Sequence, residues 1–390
     1  MDPTPTTLQL DNFDFDRFLR ENWQKQPLLI RNPWKFWCNP LEPDELAGLA
    51  CEREVESRLV TQGSNSWELE QGPLAESRFD GLGKTPWTLL VQAVDHHVPA
   101  VAALLEPFRF IPDWRIDDVM VSYAVEGGGV GPHFDQYDVF LVQGLGRRRW
   151  QLGGLCDDAT ELLPHDDLRL LASFEPTDEW ILEPGDILYV PPRFAHNGVA
   201  ASDDCMTYSI GFRAPSRGEL IANWSENLIA GLEDDDRYAD PDLSAQANPG
   251  EIAPEALDRL HAMIAESMLD REAFADWFAR YSTAPKNPEI DWRPDAPMDA
   301  AEVRRLLANR VPLLRNPAGR FSFIRQGAAC LALFVDGERF ACTGEAAALA
   351  ARICAQARVV PSPDLAASKP AVDLVAMLLN QGSVAFEPAG

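Results

Sequence analysis

The chain has 390 residues, of which 46% are hydrophobic and 24% charged. This composition is typical of a folded globular protein of two or three domains, and it excludes a disordered chain, a collagen-like repeat and a coiled-coil rod. The net charge of −27 opposes a general affinity for nucleic acid, whose binding relies on neutralising phosphates, and suits either a basic partner or solubility alone.

Location is predicted from three features of the sequence. No apolar run approaches the roughly 20 residues that a membrane span needs. The first residues lack a basic stretch followed by an apolar one, so a secretory signal is not expected. The seven cysteines are scattered, odd in number and never spaced as C-x-x-C. This usage is typical of reduced thiols in a cytoplasmic protein.

The predicted secondary structure changes from helices and loops to short strands near residue 110. Residues 1–110 are predicted to form helices and loops, with Asp14 capping a first helix and a short strand at 28–32. From 117 to 213, short strands at regular spacing predict an antiparallel sandwich or barrel. The predicted strands are DDVMVSYAV, HFDQYDVFLVQ, RRRWQLG, EWILEPGDILYVPP, AHNGVA and CMTYSIGF. The glycines at 127–129 are predicted to form a flexible turn between the first two.

The pattern becomes helical after residue 214. Helices are predicted within 218–233 and 254–269, with a solvated acidic loop between them. On the first helix, an apolar residue recurs every four positions, at Leu220, Trp224, Leu228 and Leu232. Residues 285–298 contain four prolines and are predicted to be a linker.

The segment after the linker is predicted to be a winged-helix-like unit. It contains three helical patterns and a hairpin that turns at Asp336-Gly337. From residue 286 onward there are 12 basic and 11 acidic residues, so residues 1–285 carry a net charge of −28. A DNA-binding winged helix normally has a basic face. We therefore expect a packing or protein-contact module and no direct DNA binding.

The first candidate for chemistry is the pair His133 and Asp135. An H-x-[DE] match is weak by itself, since about one is expected by chance from this composition, and His165 with Asp167 is a second match. His133 and Asp135 lie in an alternating, strand-like run, where a period of two places both side chains on one face. His165 lies in a polar stretch and is predicted to be a surface residue.

The third member of the candidate site is His196. It follows a turn, a short strand and the rigid bend of Pro191-Pro192. Two imidazoles and one carboxylate form the facial triad that binds iron(II) and leaves three positions open. Those positions suit a chelating co-substrate and dioxygen. The alternative is that the two histidines are separate core residues.

Arg148 is predicted to point into the barrel. In the run RRRWQLG, alternation places Arg148 on the same face as Trp150 and Leu152, and Arg147 and Arg149 on the other. A buried arginine needs an anion, since an unpaired buried charge is very costly. The dicarboxylate 2-oxoglutarate would supply one. The alternative is an internal salt bridge.

The runs GGGVGPHFDQYDVFLVQGLGRRRWQLG, LEPGDILYVPPRFAHNGVA and MTYSIGFRAP together resemble the bacterial JmjC-type ribosomal oxygenases. These are 2-oxoglutarate-dependent arginine hydroxylases that act on a large-subunit ribosomal protein. The resemblance spans the chain and implies an α+β fold. Its parts are a double-stranded β-helix (jelly-roll or cupin) JmjC catalytic domain over 1–213, a helical dimerisation region over 214–285, and a winged-helix-like domain over 286–390.

The resemblance also implies roles for particular residues. His133, Asp135 and His196 match the iron(II) ligands, and Arg148 matches the residue that binds the distal carboxylate of 2-oxoglutarate. No catalytic residue beyond the metal ligands is expected, because 2-oxoglutarate and O2 supply the chemistry as co-substrates.

Three further residues are candidates for the pocket of the substrate arginine. Asp118 and Tyr137 match positions that line it, and Met120 is an additional candidate. The alternatives are that Asp118 is a solvated residue at the start of a strand and that Tyr137 is a core aromatic. The sequence departs from the family at Ala124, where some members have a serine that helps to bind the co-substrate. Ser122 has the same strand parity as Ala124 and is the candidate replacement.

The leading function is therefore hydroxylation of a protein arginine. One alternative is demethylation of a methylated side chain, which uses the same metal site. Another is a regulator in which a cupin senses a ligand and a winged helix binds DNA.

The predicted partner is a basic loop of a large-subunit ribosomal protein. Acidic residues cluster between Asp135 and His196, and near the mouth of the barrel their field would attract cations. The cluster consists of Asp157, Asp158, Glu161, Asp166 and Asp167. The apolar stripe on the first helix suits either a subunit interface or packing against the chain's own barrel. The family resemblance favours the interface and implies a homodimer.

Overall fold

The computed structural model describes residues 10–11, 13–63, 67–83, 85–165 and 168–388. The strands are β1 (Leu28–Ile30), β2 (Ser57–Gln62), β3 (Trp67–Gln71), β4 (Trp87–Val91), β5 (Ile116–Ala124), β6 (Asp138–Leu145), β7 (Arg148–Leu155), β8 (Asp178–Leu182), β9 (Ile187–Val190), β10 (Phe194–Ala200), β11 (Cys205–Phe212), β12 (Leu313–Arg315), β13 (Phe321–Arg325), β14 (Cys330–Val335), β15 (Glu338–Thr343), β16 (Arg358–Val359) and β17 (Val384–Phe386).

The α-helices are α1 (Phe15–Glu21), α2 (Pro43–Leu49), α3 (Glu76–Asp80), α4 (Pro99–Ala102), α5 (Arg217–Ala230), α6 (Pro254–Met268), α7 (Arg271–Thr283), α8 (Ala300–Ala308), α9 (Gly344–Ala355) and α10 (Lys369–Asn380). Asp14 caps α1 as predicted, its carboxylate accepting a hydrogen bond from the Arg17 amide. None of the described helices combines the length and apolarity that crossing a bilayer requires.

Two antiparallel sheets face each other in the first part of the chain. The larger sheet has the strand order β1-β9-β6-β11-β5-β4-β2-β3, and the smaller has the order β10-β7-β8. Side chains of β6 and β9 pack against those of β7 and β8 between the sheets, with Leu141, Trp150 and Leu182 at most 5% exposed. The sandwich predicted from 117–213 is confirmed.

Strands β2, β3 and β4 were not predicted, because residues 1–110 were expected to contain little beyond helices and loops. They extend the larger sheet on the side of β5, with Leu89 opposite Tyr123 and Leu59 opposite Leu89. The last four residues of β4 are all buried. A strand buried on both faces has no alternating pattern, which explains why the sequence did not reveal it.

The glycine run 127–129 is a closely packed turn and not the flexible one predicted. A Cβ atom at Gly128 would lie 2.3 Å from the Trp87 carbonyl oxygen, and one at Gly129 would lie 2.5 Å from that of Gly198. Gly129 forms a bridge with Val199 of β10. The glycines thus allow the larger sheet to approach the smaller one beside the site.

The helical region contains α5, α6 and an unpredicted third helix, α7. The two predicted helices are present, and the acidic loop between them contains neither helix nor strand. Trp224 of α5 packs on Phe274 and Trp277 of α7, with ring centroids 5.6 and 5.3 Å apart. The middle of the predicted apolar stripe is therefore covered within the chain.

The C-terminal part contains helices α8, α9 and α10 and two three-stranded sheets, β13-β14-β15 and β16-β12-β17. The predicted hairpin joins β14 to β15, and Asp336 and Gly337 both have positive φ, as a type I′ turn requires. Residues 285–298 contain no helix or strand. Helix α7 contacts this part directly, because Ala279 packs on Ala332 and Phe334.

Candidate metal and substrate site

His133, Asp135 and His196 are brought together on one side of the sandwich. One ligand atom from each lies within 4.8 Å of the others. Nε2 of His196 is 3.6 Å from Oδ2 of Asp135, and the two imidazole centroids are 4.3 Å apart. Two imidazole nitrogens and a carboxylate at this spacing are the ligand set of a facial triad.

The local structure that creates this spacing differs from the prediction. Strand β6 begins at Asp138, so His133 and Asp135 precede it, and their common face does not come from strand alternation. His133 instead pairs with His196, the backbone of each donating to the other at 3.0 and 2.8 Å. Asp135 is fixed by its carbonyl oxygen, which accepts from the Arg193 amide at 2.6 Å.

Backbone carbonyls orient both imidazoles. Nδ1 of His133 lies 2.9 Å from the Gly131 oxygen, and Nδ1 of His196 lies 2.9 Å from the Phe194 oxygen. A carbonyl can only accept, so each Nδ1 carries the hydrogen and each Nε2 has a free lone pair. This is the arrangement that presents Nε2 to a metal ion.

The environment of His196 keeps its imidazole neutral. Burial and the neighbouring His133 lower the pKa of His196 to about 4, against the opposing effect of Asp135. A neutral imidazole is the form that binds a metal ion. The residues present therefore fit an iron(II) ion, and its ligands would be the three side chains of the triad.

A cavity of about 530 Å³ lies between the two sheets and adjoins the triad. The larger sheet contributes side chains from β2, β4, β5, β6 and β11, and the smaller sheet contributes Arg148, Trp150 and His196. Leu168, Arg169 and Leu170, from the segment after β7, also line it. The volume is that of a small-molecule site.

Arg148 enters this cavity as alternation predicted. It is 3% exposed, whereas Arg147 and Arg149 are exposed. Its guanidinium lies over the Trp150 ring at 5.9 Å. Among the residues that the structure describes, none accepts a hydrogen bond from its Nε or Nη2, and none forms an ion pair with it. The internal salt bridge is thus absent there, and a bound carboxylate would satisfy the guanidinium.

Ser122 and Ala124 differ in their access to the cavity. Ser122 is 5% exposed and lines it, whereas Ala124 is completely buried against Ala200 and Cys205. Thr207 lies opposite Ser122 in the β5–β11 pair and also lines the cavity. Its hydroxyl donates to Gln143 at 3.1 Å. Two hydroxyls therefore border the space near Arg148.

Asp118 is only 3% exposed, so it is not a solvated residue at the start of a strand. Its Oδ2 accepts three hydrogen bonds, from Gln92 Nε2 at 2.7 Å, the Ala93 amide at 2.9 Å and Lys286 Nζ at 2.8 Å. Within the described part of the chain, no group donates to Oδ1. A Cβ at Gly211, another residue lining the cavity, would be 3.9 Å from that oxygen.

Tyr137 and Met120 also line the cavity. Tyr137 is 43% exposed, so it is not the core aromatic that was the alternative prediction. Partial burial of the phenol and the nearby carboxylates of Asp135 and Asp118 raise the pKa of Tyr137. The hydroxyl therefore keeps its proton and can donate a hydrogen bond. The Met120 sulfur lies 4.0 Å from Arg58 Nη2.

The second H-x-D match is separate from the triad. His165 is half-buried and not the surface residue predicted: its Nε2 lies 3.2 Å from the Trp67 carbonyl oxygen, and its Nδ1 accepts from the Leu168 amide at 3.0 Å. Asp166 and Asp167 lie outside the described residues. Asp157, Asp158 and Glu161 are exposed.

Several residues of the cavity were not found from the sequence. They come from β2, β4 and β11 and from the position after β4: Arg58, Thr88, Gln92, Thr207 and Ser209. Ser209 and Thr207 alternate along β11, a period-two signal that could have been used. The others have no local signal, since they are defined by contacts distant in sequence.

Two family models match the chain: "JmjC domain" over residues 103–220 and "ROXA-like winged helix" over residues 262–385. The chain is 43% identical over 296 residues to the Ribosomal protein uL16 3-hydroxylase of Escherichia coli (strain K12). The alignment covers 74% of this chain and 78% of that protein. It is 39% identical over 275 residues to a Probable ribosomal oxygenase of Haemophilus influenzae, and this alignment covers 67% of this chain and 66% of that protein.

Solved structures of similar shape come from E. coli. The structure described as "X-Ray structure of E. coli ycfD" has a TM-score of 0.89 and 36% identity, with 98% of this chain and 100% of that chain covered. Another, of the ribosomal oxygenase YcfD in complex with cobalt and 2-oxoglutarate, has a TM-score of 0.85 and 36% identity over the same shares.

Proposed function

The chain belongs to the JmjC-domain ribosomal oxygenases, and we propose that it hydroxylates an arginine side chain in a basic loop of a large-subunit ribosomal protein. Membership makes it a 2-oxoglutarate-dependent hydroxylase with a metal cofactor. The observation that carries the assignment is that the triad and the buried Arg148 line one cavity, and that Nε and Nη2 of Arg148 have no partner among the described residues. A non-haem iron(II) oxygenase requires such a triad.

His133, Asp135 and His196 would hold iron(II), which supplies the activation of O2. Arg148 would bind the distal carboxylate of 2-oxoglutarate through two parallel hydrogen bonds. Ser122 would donate its hydroxyl to the same co-substrate, in place of the family serine that is Ala124 here. Arg148 and Ser122 are at most 5% exposed, and such burial strengthens each of these interactions.

Asp118 would bind the substrate guanidinium. Its Oδ1 has no donor among the described residues and lies on the cavity side, near Gly211. Tyr137 would pack and donate alongside, and Met120 would contact the apolar part of the side chain. Lysine fits this arrangement less well, because an ammonium cannot make the planar two-point contact of a guanidinium.

Three peptides test the substrate, each copying a basic loop with Arg, Lys or Ala at the target position. Mass spectrometry should detect a gain of one oxygen in the Arg peptide alone, dependent on iron(II) and 2-oxoglutarate. Equal oxidation of the Lys peptide would show that the arginine assignment is wrong. A loss of one methyl group from a methylated Arg peptide would favour demethylation instead.

The alternatives weighed from the sequence are less well supported. Two relatives that cover two thirds or more of this chain are a uL16 hydroxylase and a probable ribosomal oxygenase, and neither of these two descriptions includes demethylation or DNA binding. A ribosomal substrate supports a cytoplasmic location, where ribosomes are assembled.

We propose that α5 and α6 form a homodimer interface. Large apolar side chains on both helices are more than half exposed: Ile221, Ile229, Leu257 and Ile264. Several large apolar side chains exposed on neighbouring helices are typical of a subunit interface. This set differs from the stripe predicted from the sequence, since Trp224 of that stripe is buried under α7.

The predicted division of the chain also remains our proposal. Residues 1–213 would form the catalytic domain, 214–285 the dimerisation region and 286–390 the winged-helix-like domain. The site residues assigned above all lie in the first part, and the exposed apolar side chains of α5 and α6 lie in the second.

A further inference from the structure

Asp118 is connected to residues far along the chain by a partly buried network of charges. Lys286 Nζ donates to Oδ2 of Asp118 at 2.8 Å and to Oδ2 of Asp117 at 2.9 Å. Asp117 also pairs with Arg213 at 3.3 Å and with Arg320 at 2.9 Å. The winged-helix-like part and the segment before it thus contact the first residues of β5.

Lys286 is the cation that matches the buried carboxylate of Asp118. Their side chains are 20% and 4% exposed. Burial lowers the pKa of Lys286, but Asp118 and Asp117 raise it by more, so its ammonium remains charged. A buried carboxylate without a cation is strongly disfavoured. Arg213 and Arg320 do not replace Lys286, since their hydrogen bonds go to Asp117 or to backbone oxygens.

The hydrogen bonds also determine which oxygen is left for a ligand. Gln92, the Ala93 amide and Lys286 all donate to Oδ2. Oδ1 is therefore the oxygen without a donor among the described residues, and it lies toward Gly211 on the cavity wall. A carboxylate anchored by one oxygen presents the other in a fixed direction.

We propose that Lys286 is a positioning residue for the substrate pocket: it fixes the charged Asp118 so that Oδ1 accepts the substrate guanidinium. This inference rests on the proposed function, in which Asp118 binds the target arginine. Lys286 contacts neither the triad nor Arg148, so its effect is on substrate binding. The segment at 285–298, predicted to be a linker, would then complete the site.

Steady-state kinetics of the full-length enzyme with the Arg peptide tests this. Lys286→Met should raise the KM for the peptide by at least about tenfold, with a much smaller effect on kcat at saturating peptide. Lys286→Arg, which keeps the charge, should recover part of the affinity. Arg293→Met is the matched control, because Arg293 lies in the same segment, is 68% exposed and, among the residues that the structure describes, pairs only with Asp291. It should leave KM and kcat unchanged.

A double-mutant cycle shows whether Lys286 acts through Asp118. In the Asp118→Asn background, Lys286→Gln should cause no further increase in KM, because residue 118 is already neutral. Asp117 keeps Arg213 and Arg320 as cations. In the double variant neither residue 118 nor residue 286 is charged. Its comparison with Asp118→Asn therefore tests the proposal even if Lys286→Met does not fold. An additional increase, or an unchanged KM in Lys286→Met, would overturn the proposal.

Peptide oxidation by the wild-type enzyme distinguishes a failure of this inference from a failure of the proposed function. If wild type oxidises the Arg peptide and Lys286→Met has an unchanged KM, only the role of Lys286 is wrong. If wild type turns over 2-oxoglutarate but oxidises no Arg peptide, the proposed substrate is wrong and the inference is rejected with it.

Discussion

Each triad imidazole has one nitrogen bonded to a carbonyl, so only Nε2 is available to a metal ion. Replacing His133 or Asp135 by Ala should lower iron-dependent succinate release by at least about a hundredfold. Loss of a ligand should lower activity more than loss of a residue that only hydrogen-bonds to a ligand, which lowers it about 10- to 100-fold. His165→Ala is the comparison and should retain most of the activity. Full succinate release by His133→Ala would contradict the metal site.

Arg148 has no protein acceptor for its Nε and Nη2 within the described residues. Arg148→Ala should raise the apparent KM for 2-oxoglutarate by at least about thirtyfold, since truncating one partner of a buried charge pair costs roughly 2 kcal/mol or more. Arg149→Ala on the same strand should change it little, because that side chain is exposed. An unchanged KM in Arg148→Ala would place the co-substrate anchor elsewhere.

Asp95 is 2% exposed, and burial together with Asp118 raises the pKa of its carboxyl to about 8. In the unfolded chain the pKa is near 3.8, so above that pH the unfolded state loses a proton that the folded state keeps. The contribution of the Asp95 carboxyl to the free energy of unfolding is fully present below pH 3.8 and is lost as the pH rises to about 8. Between pH 6.5 and 8 the loss should be about 2 kcal/mol.

Denaturant unfolding at several pH values measures this slope. Asp95→Asn keeps the shape of the side chain and cannot ionise, so the stability of the variant should fall less over the same range. The neighbouring His96, whose Nε2 lies 3.9 Å from Asp95 Oδ2, does not confuse the comparison, because burial lowers its pKa to about 4 and it is neutral in the folded state throughout this range. Parallel curves for the two proteins would refute the raised pKa.

The pair His133 and Asp135 and the inward direction of Arg148 could be predicted because an H-x-D pattern and an alternating strand are each visible in fewer than ten residues. The alternation assumed for His133 and Asp135 was wrong, since both precede β6, and His196 is distant in sequence from both. Ser122 and Ala124 could not be distinguished in the same way, since their common parity says nothing about which end of the strand borders the cavity. Lys286 lies 168 residues from Asp118, and no local pattern predicts such a pair.

Helices α5 and α6 expose the apolar side chains that we assign to a dimer interface. Ile229 and Ile264 are 68% and 67% exposed. Replacing both by Glu should convert a dimer, of twice 43.3 kDa, to a monomer in light scattering. Burying two unpaired carboxylates at an apolar contact is too costly for association.

Ile181→Glu is the matched control for this test, because Ile181 is 45% exposed on β8 and distant from both helices in sequence. It should leave the mass unchanged. A wild-type protein that is monomeric at micromolar concentration would show that the proposed interface is wrong.

The elements found from the sequence are those with a clear period or an end signal. The strand pattern after residue 117, the cap at Asp14 and the turn at Asp336-Gly337 belong to this class. Strand β4 lacked a period because it is buried on both faces. Helix α7 was missed although Phe274, Trp277 and Tyr281 have helical spacing, since its mixed polar sequence obscured the aromatic face.

The excess of acidic residues belongs to the first 285 residues, which carry a net charge of −28. Because Asp157, Asp158 and Glu161 are exposed in the segment whose later residues line the cavity, we expect association with a basic peptide to be electrostatically assisted. Raising the salt from 50 to 300 mM should increase the KM for the Arg peptide several-fold while leaving kcat nearly constant. A KM independent of salt would remove this long-range contribution.

The reciprocal backbone bonds between His133 and His196 also have a consequence for biosynthesis. The two residues are separated by 63 positions, so at roughly 5–20 residues per second the second ligand is made about 3 to 13 seconds after the first. A growing chain therefore has two ligands long before it has a site that can retain iron. Lys286 follows after another 90 residues, so a nascent protein could acquire its metal centre before it can recognise its substrate.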